Sequence, residues 1–107
     1  MKLKVVKQIV FGVFLAIASS ASFSLEEFVG KVTIVEPTYL PGRVNFQMDA
    51  GNVTCPAGTW LSWQNADQQN NKGVYATLLT ALVSGKQVRF YINNGDTTCN
   101  GQFLHLF

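Results

Sequence analysis

VYATLLTALVSGKQVRFYI, residues Val74 to Ile92, changes its hydrophobic period part-way along. Val74 to Ser84 predicts a helix. Gly85 follows as its C-cap, because glycine accepts the left-handed conformation that ends a helix. Over Lys86 to Asn93, Val88, Phe90 and Ile92 then alternate with Gln87, Arg89 and Tyr91, the period of a strand. On a helical wheel Tyr75, Leu78, Leu79, Leu82 and Val83 form a broad side expected to face the core. Ala76, Thr77, Thr80, Ala81 and Ser84 fall on the other side. That side is small and uncharged, where a soluble helix normally presents charge to water. Three surroundings are compatible with it: a neighbouring subunit around a narrow central space, solvent, or a covering loop. The first makes Ala76, Thr77, Thr80, Ala81 and Ser84 an expected oligomer interface.

Upstream, GKVTIVE (Gly30 to Glu36) predicts a β-branched strand with Val32 and Ile34 on one face. PTYLPG (Pro37 to Gly42) breaks it, since prolines cannot extend a central strand. RVNFQMD (Arg43 to Asp49) alternates, Val44, Phe46 and Met48 inward and Arg43, Asn45 and Gln47 outward, as a half-solvated antiparallel strand does. VTCPAGTWLSWQ (Val53 to Gln64) predicts a third strand, interrupted by Pro56 and Gly58, with its regular part over Thr59 to Gln64. Trp60 and Ser62 share one of its faces, Leu61 and Trp63 the other. NADQQNNKG (Asn65 to Gly73) is amide-rich and predicts a loop into the helix. NGDTTCNG (Asn94 to Gly101) is a turn cluster, and QFLHLF (Gln102 to Phe107) a last strand. Three strands, one helix and two strands, without βαβ alternation, argue against a parallel sheet. The order predicts a small antiparallel barrel of the OB type, mainly β, with its helix between strands 3 and 4. A ubiquitin-like or cystatin-like sheet is the competitor and places its helix earlier.

Lys2, Lys4 and Lys7, the apolar run Ile9 to Ala18 and the small residues Ser19 to Ser24 form the three-part pattern of a secretory signal over residues 1–24. Cleavage after Ala21 or after Ser24 satisfies the small-residue rule, and residues 25–107 are the expected single domain. No second apolar run follows, so no integral membrane span is expected after cleavage. The whole chain has 8 basic and 6 acidic residues. Without the three leader lysines, five basic residues face six acidic, a net charge of −1. No basic stripe is left for phosphates, so nucleic acid is not an expected partner. Secretion or a periplasmic location also sets the chemistry of Cys55 and Cys99. In an exported chain a lone cysteine pair reads as one disulfide. It closes a loop of about 45 residues and stabilises by roughly 4 kcal/mol in the chain-entropy model.

GKVTIV as first strand, YATLLTALVSGKQVRFYI as helix running into strand, the Gly85-Lys86-Gln87-Val88 junction, the cysteine near the third strand and the leader together resemble a family. The chain is similar to the OB-fold B subunits of bacterial AB5-type toxins, in the subtilase-cytotoxin and pertussis-like branch. The likeness covers most of the mature chain in element order and about twenty residues in recognisable sequence. It implies a homo-oligomeric ring, possibly a pentamer, with helices around its axis, glycan binding on the outer barrel surface and a possible toxin A subunit as partner. The family's sialoglycan sites use a serine at the start of the first strand. Val29 stands there in this chain, so that site is not carried over.

Enzymatic chemistry has little to work with. His105 is the one histidine, placed between Leu104 and Leu106 in a strand, and is expected to be structural. Paired cysteines leave no His–Cys metal site, so no cofactor, metal or catalysis is expected. Binding is better supported. Trp63 shares the face of Leu61 and is the core candidate. Trp60 is the surface one, where an indole stacks on a sugar or joins a protein interface. Amides and carboxylates near the loops, Asn65 and Asp67 before the helix, Asn94 and Asp96 in the last turn, suit a hydroxyl-rich ligand, although the same residue types also make turns and caps. The resulting expectation is a secreted glycan-binding subunit. The alternative is a monomeric module that binds or inhibits a protein.

Overall fold

The computed structural model describes residues 24–107. The leader expected over residues 1–24 lies outside the described residues, apart from Ser24. Strands β1 (Leu25–Glu36), β2 (Val44–Met48) and β3 (Leu61–Trp63) precede helix α1 (Gln68–Ser84), and β4 (Gln87–Asn93) and β5 (Gly101–Leu106) follow it. The fold is mainly β, with five antiparallel strands in the order β3-β2-β1-β4-β5. The outer strands also meet: Ser62 forms a parallel bridge with Asn100, and its N–H donates to the Cys99 carbonyl at 3.0 Å.

β1 is longer than the sequence pattern suggested, because its two halves serve different neighbours. Leu25 to Lys31 pairs with β4, and Val32 to Glu36 pairs with β2. A bulge between Val32 and Ile34 changes the parity of the second half. An extra residue in one strand rotates everything after it by one position. Val32 is therefore buried while Ile34, expected beside it, faces solvent and Val35 packs on the core instead.

The alternation of β2 and β4 is realised in full. Val44, Phe46, Met48, Val88, Phe90 and Ile92 are all buried. Phe90 is the centre of the packing. Its ring meets Phe46 at 5.1 Å and Phe28 at 5.8 Å between centroids, both edge-on, the arrangement that aromatic quadrupoles favour. Gly101 opens β5 directly beneath Phe90 and Trp63, and a Cβ at this position would collide with both rings. The disulfide Cys55–Cys99 is formed, with Cα atoms 6.0 Å apart and both cysteines buried. It ties the segment before β3 to the turn before β5.

The helix begins at Gln68 rather than Val74, so most of the expected loop Asn65 to Gly73 is helical. Asp67 is its N-cap and accepts the Gln69 amide at 3.0 Å, which satisfies a donor that the helix itself cannot. Gly85 ends it in the left-handed region, φ 68°. The inward side is set by Asn71, Leu78 and Ala81, which are buried, and by Val74 and Tyr75, which pack on the core. This corrects the helical wheel. Leu79 and Leu82, expected in the core, are 37 % and 38 % exposed, and Val83 is 86 % exposed. Ala81, expected on the outer side, is in the core. The phase is set by Asn71, two turns before Leu78. Its Nδ2 lies at 2.9, 3.1 and 2.9 Å from the carbonyls of Pro41, Gly42 and Asn65, and its Oδ1 accepts the Asn65 amide at 2.8 Å. A buried amide satisfied on both ends cannot rotate toward water without losing all of these.

Candidate functional site

Trp60 and Trp63 stand on opposite faces of the chain at β3, as two-residue alternation requires. Trp63 is in the core and its Nε1 donates to Asn70 Oδ1 at 2.8 Å, tying β3 to the first turn of α1. Trp60 is 47 % exposed. It borders an open groove of about 530 Å³ on the outer side of β2 and β3 and beside the turn that leads into β5. Arg43 and Asn45 come from the β2 side, Ser62 and Gln64 from the β3 side, Thr98 and Asn100 from the turn, and Leu61 adds to the wall. The Ser62–Asn100 bridge brings the last two into range of Trp60. The lining is one indole among amides and hydroxyls, with a single guanidinium.

Two lining residues carry buried polar atoms without a partner: the Arg43 Nε donor and the Asn100 Oδ1 acceptor. An unsatisfied buried group costs about 1–3 kcal/mol, so the two atoms are a cost carried by the groove wall. The Arg43 guanidinium lies 4.4 Å from the Tyr39 ring centroid, a cation–π contact that holds it in place. Asp96 shapes the groove from behind. Its Oδ1 accepts the Thr98 amide and hydroxyl, and its Oδ2 the Asn100 amide. The Thr98 hydroxyl holds the Asp96 carboxyl below its ordinary value; partial burial opposes this, and the Thr98 and Asn100 amides reinforce it.

Of the five expected ligand residues, Trp60 lines the groove and Asp96 supports it. The other three do not line it: the side chains of Asn65 and Asp67 have structural duties, and Asn94 is engaged through its backbone N–H. Asn65 Oδ1 accepts the Asp67 amide, Asp67 caps α1, and the Asn94 amide donates to the Ser24 carbonyl. Arg43, Asn45 and Ser62 were legible as outward-facing strand residues. Thr98 and Asn100 were read only as turn material, and Gln64 only as the end of a strand. The groove lies on β2 and β3, away from Val29 on β1.

No family model, curated protein or solved structure matches this chain.

The helix offers a second surface. Leu79, Thr80, Val83 and Ser84 line an exposed depression of about 370 Å³. Ala76, Thr80 and Ser84 of the expected interface are exposed, and Thr80 Oγ1 donates to the Ala76 carbonyl at 2.9 Å. Thr77 is half-buried with its hydroxyl on the Gly73 carbonyl, and Ala81 is turned inward. The uncharged outer side therefore exists, with Leu79 and Val83 in place of Ala81. A third exposed surface is aromatic. Phe103 is edge-on to Tyr91 at 5.9 Å, His105 at 5.2 Å, and Arg89 lies 5.0 Å from the Phe107 ring. His105 is exposed on this face. Among the described residues no three of His, Cys, Asp and Glu gather as a metal site, and no helix is long and apolar enough to cross a membrane.

Proposed function

We propose that this is a secreted, non-enzymatic carbohydrate-binding protein built on an OB-type barrel, which assembles with copies of itself as toxin B subunits do. The strand order β3-β2-β1-β4-β5 with a parallel β3–β5 contact supports the barrel. The single observation that carries the binding role is Trp60, half-exposed in a groove otherwise lined by amides, hydroxyls and Arg43. A flat indole stacks on the apolar face of a sugar ring, and the surrounding side chains donate to and accept from its hydroxyls. The uncharged outer side of α1, with Leu79 and Val83 exposed, supports self-association.

The test is binding of the exported, processed protein to a glycan array, repeated with Trp60→Ala. Saccharide binding that disappears in the variant while its melting temperature is kept supports the reading. Binding unchanged in Trp60→Ala removes this groove as the site, and no binding to any glycan removes the function. A second reading, a monomeric module that docks on a protein, is favoured by the aromatic face of Tyr91, Phe103, His105 and Phe107. The solution mass separates the two: a wild-type monomer that binds a protein, and loses that binding in Phe103→Asp, supports the second reading, whereas a wild-type oligomer supports the first.

A further inference from the structure

We propose that Asn94 is a modification site, an asparagine that converts to aspartate and isoaspartate, and that the Glu26 carboxylate holds this conversion in check. Neither residue lines the Trp60 groove, so the site is independent of the carbohydrate reading. Asn-Gly occurs twice in the chain, at Asn94-Gly95 and Asn100-Gly101. A glycine after asparagine leaves the next backbone nitrogen unshielded, because it carries no Cβ. The fold treats the two pairs differently. Asn94 and Gly95 are exposed at the centre of a turn, closed by the Asp96 amide on the Asn93 carbonyl at 3.0 Å. Asn94 is anchored through its backbone N–H, on the Ser24 carbonyl at 3.1 Å. Asn100 is half-buried and bridged to Ser62, and its N–H is held by Asp96 Oδ2 at 3.3 Å. Gly101 is buried and pairs with Ile92 in the sheet. Attack on a side chain needs the backbone to rotate, and a paired strand resists that.

The chemistry needs only water. Gly95 N gives up its proton to solvent and attacks Asn94 Cγ. The bond from Cγ to the side-chain nitrogen breaks, that nitrogen takes up a proton, and ammonia leaves. Water then opens the cyclic imide at either carbonyl and leaves aspartate or isoaspartate. Glu26 acts on the first step. The Gly95 N–H donates to Glu26 Oε2 at 2.7 Å, a charge-assisted bond. Removing that proton sets a nitrogen anion against a carboxylate. Turning the nitrogen onto Asn94 Cγ breaks the bond. Glu26 is itself fixed through its other oxygen, which accepts Asn52 Nδ2 and Thr54 Oγ1. Conversion puts a new carboxylate in the turn, next to the Gly95 that Glu26 holds and two residues from Asp96. Isoaspartate also lengthens the backbone there. The same segment runs on to Thr98 and Asn100 in the groove lining, so the converted protein is a second form, altered beside the groove.

The experiment incubates processed wild-type protein, Glu26→Ala, Glu26→Gln and Asn71→Ala at mildly alkaline pH, well below their melting temperatures. Mass spectrometry follows the tryptic peptide after Arg89. That peptide, Phe90 to Phe107, holds both Asn94 and Asn100, so its fragments report the two together. The expected result is slow conversion of Asn94 in the wild type, with Asn100 intact. Glu26→Ala converts Asn94 faster, on the order of ten- to a hundred-fold, as loss of a charge-assisted hydrogen bond implies. Glu26→Gln, which keeps an acceptor and loses the charge, falls between. Asn71→Ala loosens the fold without touching Gly95 and matches the wild type at Asn94. Equal rates in wild type and Glu26→Ala overturn the proposal. A slower rate in Glu26→Ala also overturns it, because the carboxylate would then serve as the base. Acceleration in Asn71→Ala as large as in Glu26→Ala does the same, since general loosening would suffice. Conversion of Asn100 as fast as Asn94, or no conversion of Asn94 in any variant, removes the site. If Glu26→Ala does not fold, the wild type and Glu26→Gln carry the comparison.

Discussion

Glu26 and Gly95, 69 residues apart, are joined by a 2.7 Å hydrogen bond from the Gly95 amide to Glu26 Oε2. The other oxygen of the same carboxylate accepts Thr54 Oγ1 at 2.7 Å and Asn52 Nδ2 at 3.0 Å. One side chain near the start of β1 thus gathers the segment that carries Cys55 and the turn that carries Cys99. The disulfide and the Glu26 carboxylate hold the same two segments by independent means.

The Glu26 cluster predicts acid sensitivity. The Thr54 hydroxyl, then the Gly95 amide, hold the carboxyl below its ordinary value of 4.5; slight desolvation opposes them and the Asn52 amide adds to them. A folded-state pKa below the unfolded one means that the unfolded chain binds the proton more readily. The stabilisation is complete above the ordinary value and is lost as pH falls through the folded one. Melting temperatures measured from pH 7 to pH 3 should decline below about pH 4.5. Glu26→Gln should melt lower at pH 7 and show a shallower decline. Asp96 shifts in the same direction and leaves a residual slope.

Asn71 predicts a large stability effect from a polar residue. It is fully buried, and its carboxamide serves Pro41, Gly42 and Asn65. Asn71→Ala removes four hydrogen bonds to the Pro41, Gly42 and Asn65 backbone and leaves a hole where a fully buried side chain stood, and should cost about 3 kcal/mol. Melting should fall by more than about ten degrees in a domain of this size. Asn71→Asp should be no better, because it removes the donors and buries a charge. A melting curve within a few degrees of wild type would mean that the Pro41–Gly42 turn is held by something else.

These two residues also mark what a single sequence conceals. The alternation of Val44, Phe46 and Met48 and of Val88, Phe90 and Ile92 was legible because the sheet buries one face only. The same rule separated Trp60 from Trp63. Ile34 was misplaced because a bulge has no signature in period two. Leu25 to Val29 was not seen as a strand because its two adjacent glutamates hide a pattern in which Phe28 alone is buried. The start of α1 looked like a loop, since its amides carry no apolar period, and Asn71 is indistinguishable from its neighbours until Pro41 and Gly42 are placed beside it. The groove is the least legible of all. Its members come from three segments brought together by one bridge at Ser62.

The disulfide predicts a coupled loss of stability and of site order. Cys55 and Cys99 are separated by 44 positions and both are buried. Replacing both with alanine should lower the unfolding free energy by about 4 kcal/mol in the chain-entropy model, read from the midpoint of a denaturant titration. Cys99 sits between Thr98 and Asn100, so the turn that borders Trp60 loses its anchor. Trp60 fluorescence should therefore change in the double variant before global unfolding. An unfolding midpoint equal to that of the oxidised wild type would show that the Glu26 cluster suffices to hold the two segments.

The outer side of α1 gives the last prediction. Its exposed Leu79, Leu82 and Val83 are too few to hold two subunits alone, since a stable interface buries about 800 Å² on each partner. A second surface must take part, and the exposed aromatic face of Phe103 and Phe107 is the candidate. The two surfaces differ, so their pairing is head-to-tail, which closes into a ring when the rotation between successive copies closes and otherwise runs on as a filament. Light scattering on a sizing column should give a multiple of the monomer mass. Thr80→Glu and Val83→Glu on the helix and Phe103→Asp on the sheet should each reduce it to the monomer without lowering the melting temperature of the fold. A mixture of one helix variant with the sheet variant should pair through the intact surface of each, giving dimers but no rings. A wild-type monomer indifferent to all three substitutions would leave the helix facing water and assign the aromatic face to a different partner.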